Sequence, residues 1–481
     1  MQGALEERDD LVALGGFVLL QLQVTGTEDT AASDSALRAP SFFDFFADVR
    51  PTDRLRVFAQ GRLQTDFTRG QAVDTDGSDL VFQNLAGFVG REAEVLLDQL
   101  WVKFDVARVV YVTAGKQRLR WGSGRFFNPT DFVNRQRVNP VALFDQRLGV
   151  NLVRLHLPLE RENVNLYALA DIEGASTVED VGVALRGEVA WASTETAVTL
   201  AYRRGTGYRA GIDVSTGLWR FDVRAEASFT WDDHSPFFAL DDGQNPFLAR
   251  RVDRSDDVIV EAGLGADIVF RLGDDDGQLI LGGQAYFNDR GYDDDTLYPF
   301  LIFAPVIDQA VVNTGFSTIG VAPPFGGVDI GFNPFLVGRW YAAAFASLIG
   351  PGDLDDTTLA LSGIGNLSDR SFIVRFDLSQ AVLTFLSIRF FTNVYAGETS
   401  GGFRLGLDVP PLPDELVPTI PGVPVEVPGL AVLTEGFSIP APLFDVGSAS
   451  PSTSDDLPQE LPSPSSRDRT RRFRAAQSTN L

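Results

Sequence analysis

The chain has 481 residues, 44% of them hydrophobic, with a formal net charge of -25, two histidines and no cysteine. That apolar content excludes global disorder, and the missing cysteines exclude a disulfide scaffold, thiolate metal sites and a cysteine nucleophile. A pI near 4.4 argues against nucleic-acid binding, which needs a basic face, and no run of about 18 apolar residues predicts a membrane-crossing helix.

Positions 1–10, "MQGALEERDD", read as an acidic leader. They lack the charged-then-apolar form of a secretory signal, so in an exported protein the signal has been removed or the start truncated. "LVALGGFVLLQLQVTG" follows and reads as a strand, interrupted by Gly15, Gly16 and Gln21.

From there the dominant period is two. In 54–67, Leu55, Val57, Ala59 and Leu63 alternate with Arg56, Gln60, Arg62, Gln64 and Asp66. In 219–231, Trp219, Phe221, Val223, Ala225, Ala227, Phe229 and Trp231 alternate with Arg220, Asp222, Arg224, Glu226, Ser228 and Thr230. Segments 258–271 and 371–379 repeat the pattern, with Glu261, Asp267, Arg375 and Asp377 on their polar faces. One face is apolar and the other charged, as in a strand with two different surroundings. About twelve steps of roughly 3.3 Å give about 40 Å of strand, long for a soluble sandwich and tall enough for a membrane band with its aromatic girdles.

Short turns are expected at 51–54, 106–108, 158–162, 192–195, 215–217, 273–277, 351–356 and 380–381. Between them lie connections that are mostly longer, at 26–40, 68–91, 121–146, 173–180, 232–256 and 289–337, with tight exceptions near 204–207 and 368–370. Short and long connections largely alternate, as periplasmic turns and external loops do in a transmembrane barrel. The expected fold is all-β: one antiparallel transmembrane β-barrel over 11–448, with about 18 strands in a range of about 16–18. Positions 410–436 read as a Pro-rich loop, and 449–481 as a disordered tail.

Between the expected fifth strand (109–119) and sixth (147–157) lies "GKQRLRWGSGRFFNPTDFVNRQRVNP". It gathers Lys116, Arg118, Arg120, Arg125, Arg135 and Arg137 around a single acid, Asp131. Gly122 and Gly124 permit a sharp inward turn, and Asn128-Pro129 and Asn139-Pro140 fix bends. Such a segment fills a wide bore. Its cations, facing Asp98, Glu188, Asp222, Glu226, Glu261, Asp267 and Asp377, either set a transverse field for polar and charged solutes or brace the loop by pairing. Arg220, Arg224, Glu226 and Glu261 complete the expected lumen lining.

The stretch resembles bacterial outer-membrane porins, whose loop after the fifth strand folds inward. Gly115, Gln117, Trp121, Gly122, Asn128, Pro129 and Asp131 look like the Gly-x-Gln, Trp-Gly and Asn-Pro-x-Asp signature of an uncharacterised family of large outer-membrane barrels. The Gly-Lys-Gln start and the arginines are also similar, more weakly, to alginate-export porins. The motif covers about 20 residues. The resemblance implies a bacterial outer-membrane channel that passes small polar or charged solutes by diffusion and meets membrane lipid, lipopolysaccharide and the barrel-assembly machinery. It names no solute.

Other chemistry has less support. Two histidines, His156 and His234, leave little room for a zinc site or a Ser-His-Asp triad, and no nucleophile or phosphate-binding motif is present. No cofactor is expected. The acidic runs at 273–277 and 293–295 fit either solvated turns or Ca²⁺. The aromatics of 289–337 either guide sugars or apolar solutes, or pack within the loop or cap the mouth, the second being the expectation. Closure is expected to use 437–446, with the tail on the periplasmic side, unless the reading frame is altered near Gly447. A structural or adhesive surface protein and a barrel hydrolase are the alternatives.

Overall fold

The period-two segments are strands throughout. The computed structural model describes residues 11–26, 36–68, 93–134, 140, 147–241, 245–272, 277–313, 325, 332–351, 354–404, 407–411, 413 and 437–439. In chain order its strands begin with β1 (Val12–Leu19), β2 (Gln23–Thr25), β3 (Ala36–Arg38), β4 (Pro40–Thr52), β5 (Leu55–Asp66), β6 (Ala93–Val106), β7 (Val110–Gln117) and β8 (Val150–Leu159). They continue with β9 (Val164–Asp171), β10 (Gly182–Trp191), β11 (Thr194–Arg203), β12 (Gly207–Leu218), β13 (Phe221–Trp231), β14 (Phe237–Ala239), β15 (Arg250–Val252), β16 (Ile259–Arg271) and β17 (Gln278–Asn288). One helix, α1 (Tyr298–Asn313), precedes β18 (Trp340–Ile349), β19 (Thr357–Asn366), β20 (Ser371–Leu383), β21 (Leu386–Gly397), β22 (Leu407–Val409) and β23 (Phe437–Ile439).

Seventeen of these strands form one sheet. Each pairs antiparallel with the next long strand in sequence, from β1 with β4 through β13 with β16 to β20 with β21. Hairpin succession needs no crossovers, so it suits strands joined by short connections. No hydrogen-bonded register joins β21 to β1 among the described residues. Phe437–Ile439, the described part of the expected closing strand, pairs instead with Leu407–Val409.

The faces are inverted relative to a soluble protein. Leu14, Leu185 and Leu264 are 77%, 60% and 61% exposed, whereas Arg62, Asp98, Thr199 and Glu226 are 1%, 0%, 0% and 4% exposed. Apolar residues point out and charged ones in, and the inward charges pair because a desolvated ion needs a partner. Arg62 reaches Asp44 at 2.7 Å, Arg186 reaches Asp213 at 2.8 Å, and Arg375 reaches Asp377 at 2.7 Å.

Two expected turns move. β12 runs on through 215–217, and the turn falls at 219–220, with Trp219 at φ +59° and exposed. The cluster Ser215, Thr216 and Gly217 has turn composition, but pairing with Thr194 and Glu195 holds it in the sheet. The turn expected at 380–381 lies at 384–385, because a bulge between Ala381 and Leu383 breaks the alternation that would otherwise mark strand. A third irregularity matters more. Gln60 pairs with Gln99 and Gly61 with Leu97, so Asp98 is an extra residue in β6. It sends Asp98 and Gln99 to the same, inward side.

Candidate functional site: a strut across the bore

Segment 118–134 leaves the end of β7 and folds into the space enclosed by the sheet. It is held at both ends by apolar anchors. Trp121, with Val133 of the same segment, packs with Val150, Leu152, Leu169 and Ala184 on the wall of β8, β9 and β10. Phe126 and Phe127 pack with Tyr286, Tyr341, Ile364 and Ile373 on the wall of β17 to β20, joined by Phe335 and Phe403 from later connections. Phe127 stacks on Tyr286 at 4.6 Å with the rings 4° from parallel. The sheet must curl to bring those two walls to one short segment.

Between the anchors, hydrogen bonds fix the backbone. Glu226 on β13 accepts from Thr130 Oγ1 at 2.9 Å, from Ser123 Oγ at 3.3 Å and from the Gly124 backbone N–H. Gln284 on β17 accepts from the Phe126 and Phe127 N–H groups at 2.8 and 3.2 Å and donates to the Phe127 carbonyl at 2.8 Å. Gly122 has φ +93°, and a Cβ there would meet the Glu226 carboxylate at 2.7 Å. The two expected glycines therefore serve turn and close approach together. Gly211 on β12 makes room in the same way for Thr130 and Phe132.

The cations of the segment fall into different roles. Arg118 is a brace: its guanidinium makes two bonds to buried Asp98, one of them 3.1 Å long. Arg120 is exposed and donates to the Gly124 carbonyl at 2.8 Å. Arg125 is also exposed, lies 3.9 Å over the Phe345 ring, and reaches Asp267 at 3.4 Å beside Arg224, which bonds Asp267 at 2.5 Å. Asp131 is an internal knot, accepting from Asn134 at 2.8 Å and from Arg147 at 2.9 Å. Gln117 donates to two strand carbonyls, and Asn128 O accepts the Asp131 N–H at 3.2 Å. Pro129 and Asn128 are both buried within the strut. Gly115 has φ +121° and sits against the β6 backbone at Trp101.

Three residues expected in the lining lie apart from the strut. Lys116 pairs in register with Leu100 and Asn151, on the face away from Gln117, hence outward. Arg220 is in the exposed 219–220 turn, over Phe270 at 5.4 Å. Glu261 faces inward but is engaged by the Tyr286 hydroxyl at 2.8 Å. Arg135 and Arg137 lie outside the described residues. Gln284 escaped sequence reading because an amide in a polar face carries no special mark, although its place in the alternation of β17 identified the side it faces.

Beside the strut is a cavity of about 810 Å³, lined by Asp131, Asp171, Arg203, Arg209, Glu261 and Arg290 among others. It opens toward the long connections. Over them, α1 buries Tyr298, Phe300 and Phe303, so these aromatics pack rather than line a path; Phe316 lies outside the described residues. Asp369 in the tight β19–β20 turn accepts from the Tyr298 hydroxyl at 2.7 Å, from Asn366 at 2.6 Å and from the Gly402 N–H at 2.8 Å. Burial, then the adjacent Asp369 charge, pushes the Tyr298 phenol well above its ordinary value. Among the described residues no cluster of three metal-ligating side chains occurs. Asp293 of the second acidic run pairs with Arg339 at 2.8 Å. His156 is stacked on Tyr167 at 4.5 Å and bonds Asn165, while His234 approaches Asp232 at 3.4 Å.

No family model matches the chain, and no curated protein sequence matches it. Among solved structures it is similar to a BenF-like porin from Pseudomonas fluorescens Pf-5, with 11% identity over 81% of this chain and 94% of that one and a TM-score of 0.45. It is also similar to Pseudomonas aeruginosa OccK9 (OpdG), with 13% identity over 80% and 94% and a TM-score of 0.43. A mutant of the Rh. blastica porin has 10% identity over 79% and 100%, with a TM-score of 0.38.

Proposed function

We propose that the protein is a bacterial outer-membrane channel for passive diffusion of small polar or charged solutes, narrowed by the strut. The observation that carries this is the inversion of the wall: apolar side chains outward, paired charges inward, around a segment that only partly fills the space. A soluble protein would not expose so many large apolar residues in a continuous band, whereas lipid requires it. Between β1 and β21 each long strand is hydrogen-bonded to a neighbour on both sides, as hydrocarbon demands of a spanning sheet. Arg120 and Arg125 are the exposed cations of the strut, and they form the basic constriction. Chemistry at the site needs no cofactor, because selection comes from bore size and charge placement.

Reconstitution into a planar bilayer tests the reading. Stepwise conductance is expected, and in the Arg120→Ala, Arg125→Ala double variant the preference for anions over cations falls. No conductance from folded protein would favour a structural or adhesive surface role. Unchanged selectivity would remove the constriction while leaving the channel.

A further inference from the structure

On the turn side of the strut, the inward face of β4 to β9 carries a row of rings, with the Arg56 guanidinium 5.3 Å over one of them, Trp101. Phe46 and Phe58 stack with centroids 5.8 Å apart, and Phe58 and Trp101 at 5.3 Å, both pairs 21° from parallel. Further round the wall Tyr111 lies 6.0 Å from His156, and His156 stacks on Tyr167 at 4.5 Å. These rings are half-buried or exposed rather than enclosed. They face water inside the bore, where burying an aromatic surface would be favourable.

Two cations stand between the two ring stacks. Lys103 pairs in register with Thr113, and Thr113 with Arg154, so the three form one row across β6, β7 and β8. Neighbouring strands are about 4.8 Å apart, which spaces Lys103 and Arg154 by about 10 Å with the Thr113 side chain between. At other places on the inward wall a cation meets an acid, as Arg62 meets Asp44 and Arg186 meets Asp213. Lys103 instead sits 5.5 Å over the Tyr111 ring, and the buried Arg154 Nε has no hydrogen-bond partner. Among the described residues neither cation has a carboxylate within ion-pair distance. Two like charges held on one wall without a counter-charge are an unfinished arrangement, and an anion between them completes it.

We propose that this wall is a binding site for planar aromatic anions, the ring lying on Trp101 or Tyr111 and the acidic group between Lys103 and Arg154. It rests on the channel reading for access, and it names the solute class that the turn-side half of the bore would retain. The row begins directly beneath the strut: the Trp101 indole N–H donates to Gln99 Oε1 at 3.3 Å, and the Arg118 N–H approaches the same oxygen at 3.5 Å. A solute passing the exposed Arg120 and Arg125 therefore meets this wall next.

The test uses three probes on the folded full chain: naphthalene-2-sulfonate, cyclohexanesulfonate and 2-naphthalenemethanol. Binding is read by calorimetry in detergent, and current blockade in a bilayer. Naphthalene-2-sulfonate is expected to bind and to interrupt the current, while each analogue, lacking ring or charge, binds about tenfold or more weakly. The Lys103→Gln, Arg154→Gln double variant should lose about tenfold for the sulfonate and nothing for the alcohol, and Trp101→Leu should weaken both ring-bearing probes. Equal binding of cyclohexanesulfonate, or an unchanged double variant, overturns the site. Should the double variant fail to fold, the contrast among probes on the unaltered protein still decides. Calorimetric binding without conductance would retain the site and sink the channel reading; conductance with neither binding nor blockade would do the reverse.

Discussion

The two sides of the strut treat charge differently. On the strut itself several charges are tied: Glu226 collects donors from three residues, Asp131 joins Asn134 and Arg147, and Arg118 is fixed to Asp98. On the turn-side wall Lys103 and Arg154 stand without acids among open rings. A basic cluster in sequence therefore does not identify the binding surface. Of the described arginines in the basic run, Arg118 is a brace while Arg120 and Arg125 stay exposed, and two further cations without acids stand in strands whose composition is ordinary. Brace and binding surface are separated by whether a charge already has its partner.

The comparison breaks most sharply at Glu226. Glu226→Ala strands Gly124 N–H, Ser123 and Thr130 without an acceptor, and loss of about 3–5 kcal/mol is expected. Released from the wall, the strut should widen the path, so urea unfolding in detergent falls to lower midpoint and single-channel conductance rises. Trp121→Ala empties the β8–β10 anchor and should cost about 3 kcal/mol in the same titration, with a noisier open current. If either variant leaves both stability and conductance unchanged, the segment is not a strut.

A smaller effect is expected at the latch over the mouth. The Tyr298 hydroxyl must be protonated to donate to Asp369, and its proton affinity is raised in the folded state. The contribution is thus fully present below the ordinary tyrosine value of about 10 and is lost as pH climbs above it. Proteolysis of the mouth connections should accelerate above about pH 10 in the unaltered protein. Tyr298→Phe should lose about 1 kcal/mol and that pH dependence with it. Smallest in stability is Arg120→Ala with Arg125→Ala, expected within about 0.5 kcal/mol because both side chains are exposed; its readout is ion selectivity.

Much of this was legible in the residues. Alternation in 219–231 and 258–271 assigned Glu226, Glu261 and Asp267 to the inward face, and Trp121, Gly122 and Asn128-Pro129 marked the segment that folds in. Three things were hidden for physical reasons. Bulges shift the period, so the turn after β20 and the facing of Gln99 could not be read from spacing. α1 contains Pro305 and is apolar on most sides, which conceals helical period in a segment rich in turn residues. The Lys103 and Arg154 row depends on register between strands, which a single sequence does not display.

The extra residue at Asp98 has a further consequence. The loop-side part of β6, ending at Leu97, and the turn-side part, from Gln99, keep opposite parities, and one peptide unit reconciles them. Deleting Asp98 would leave an unbroken two-residue rhythm with Val95 and Leu97 still outward and Gln99, Lys103 and Asp105 still inward, so what β6 would lose is the buried acid that Arg118 reaches. Homologous chains that lack this extra residue are therefore expected to lack a cation at the position of Arg118 as well.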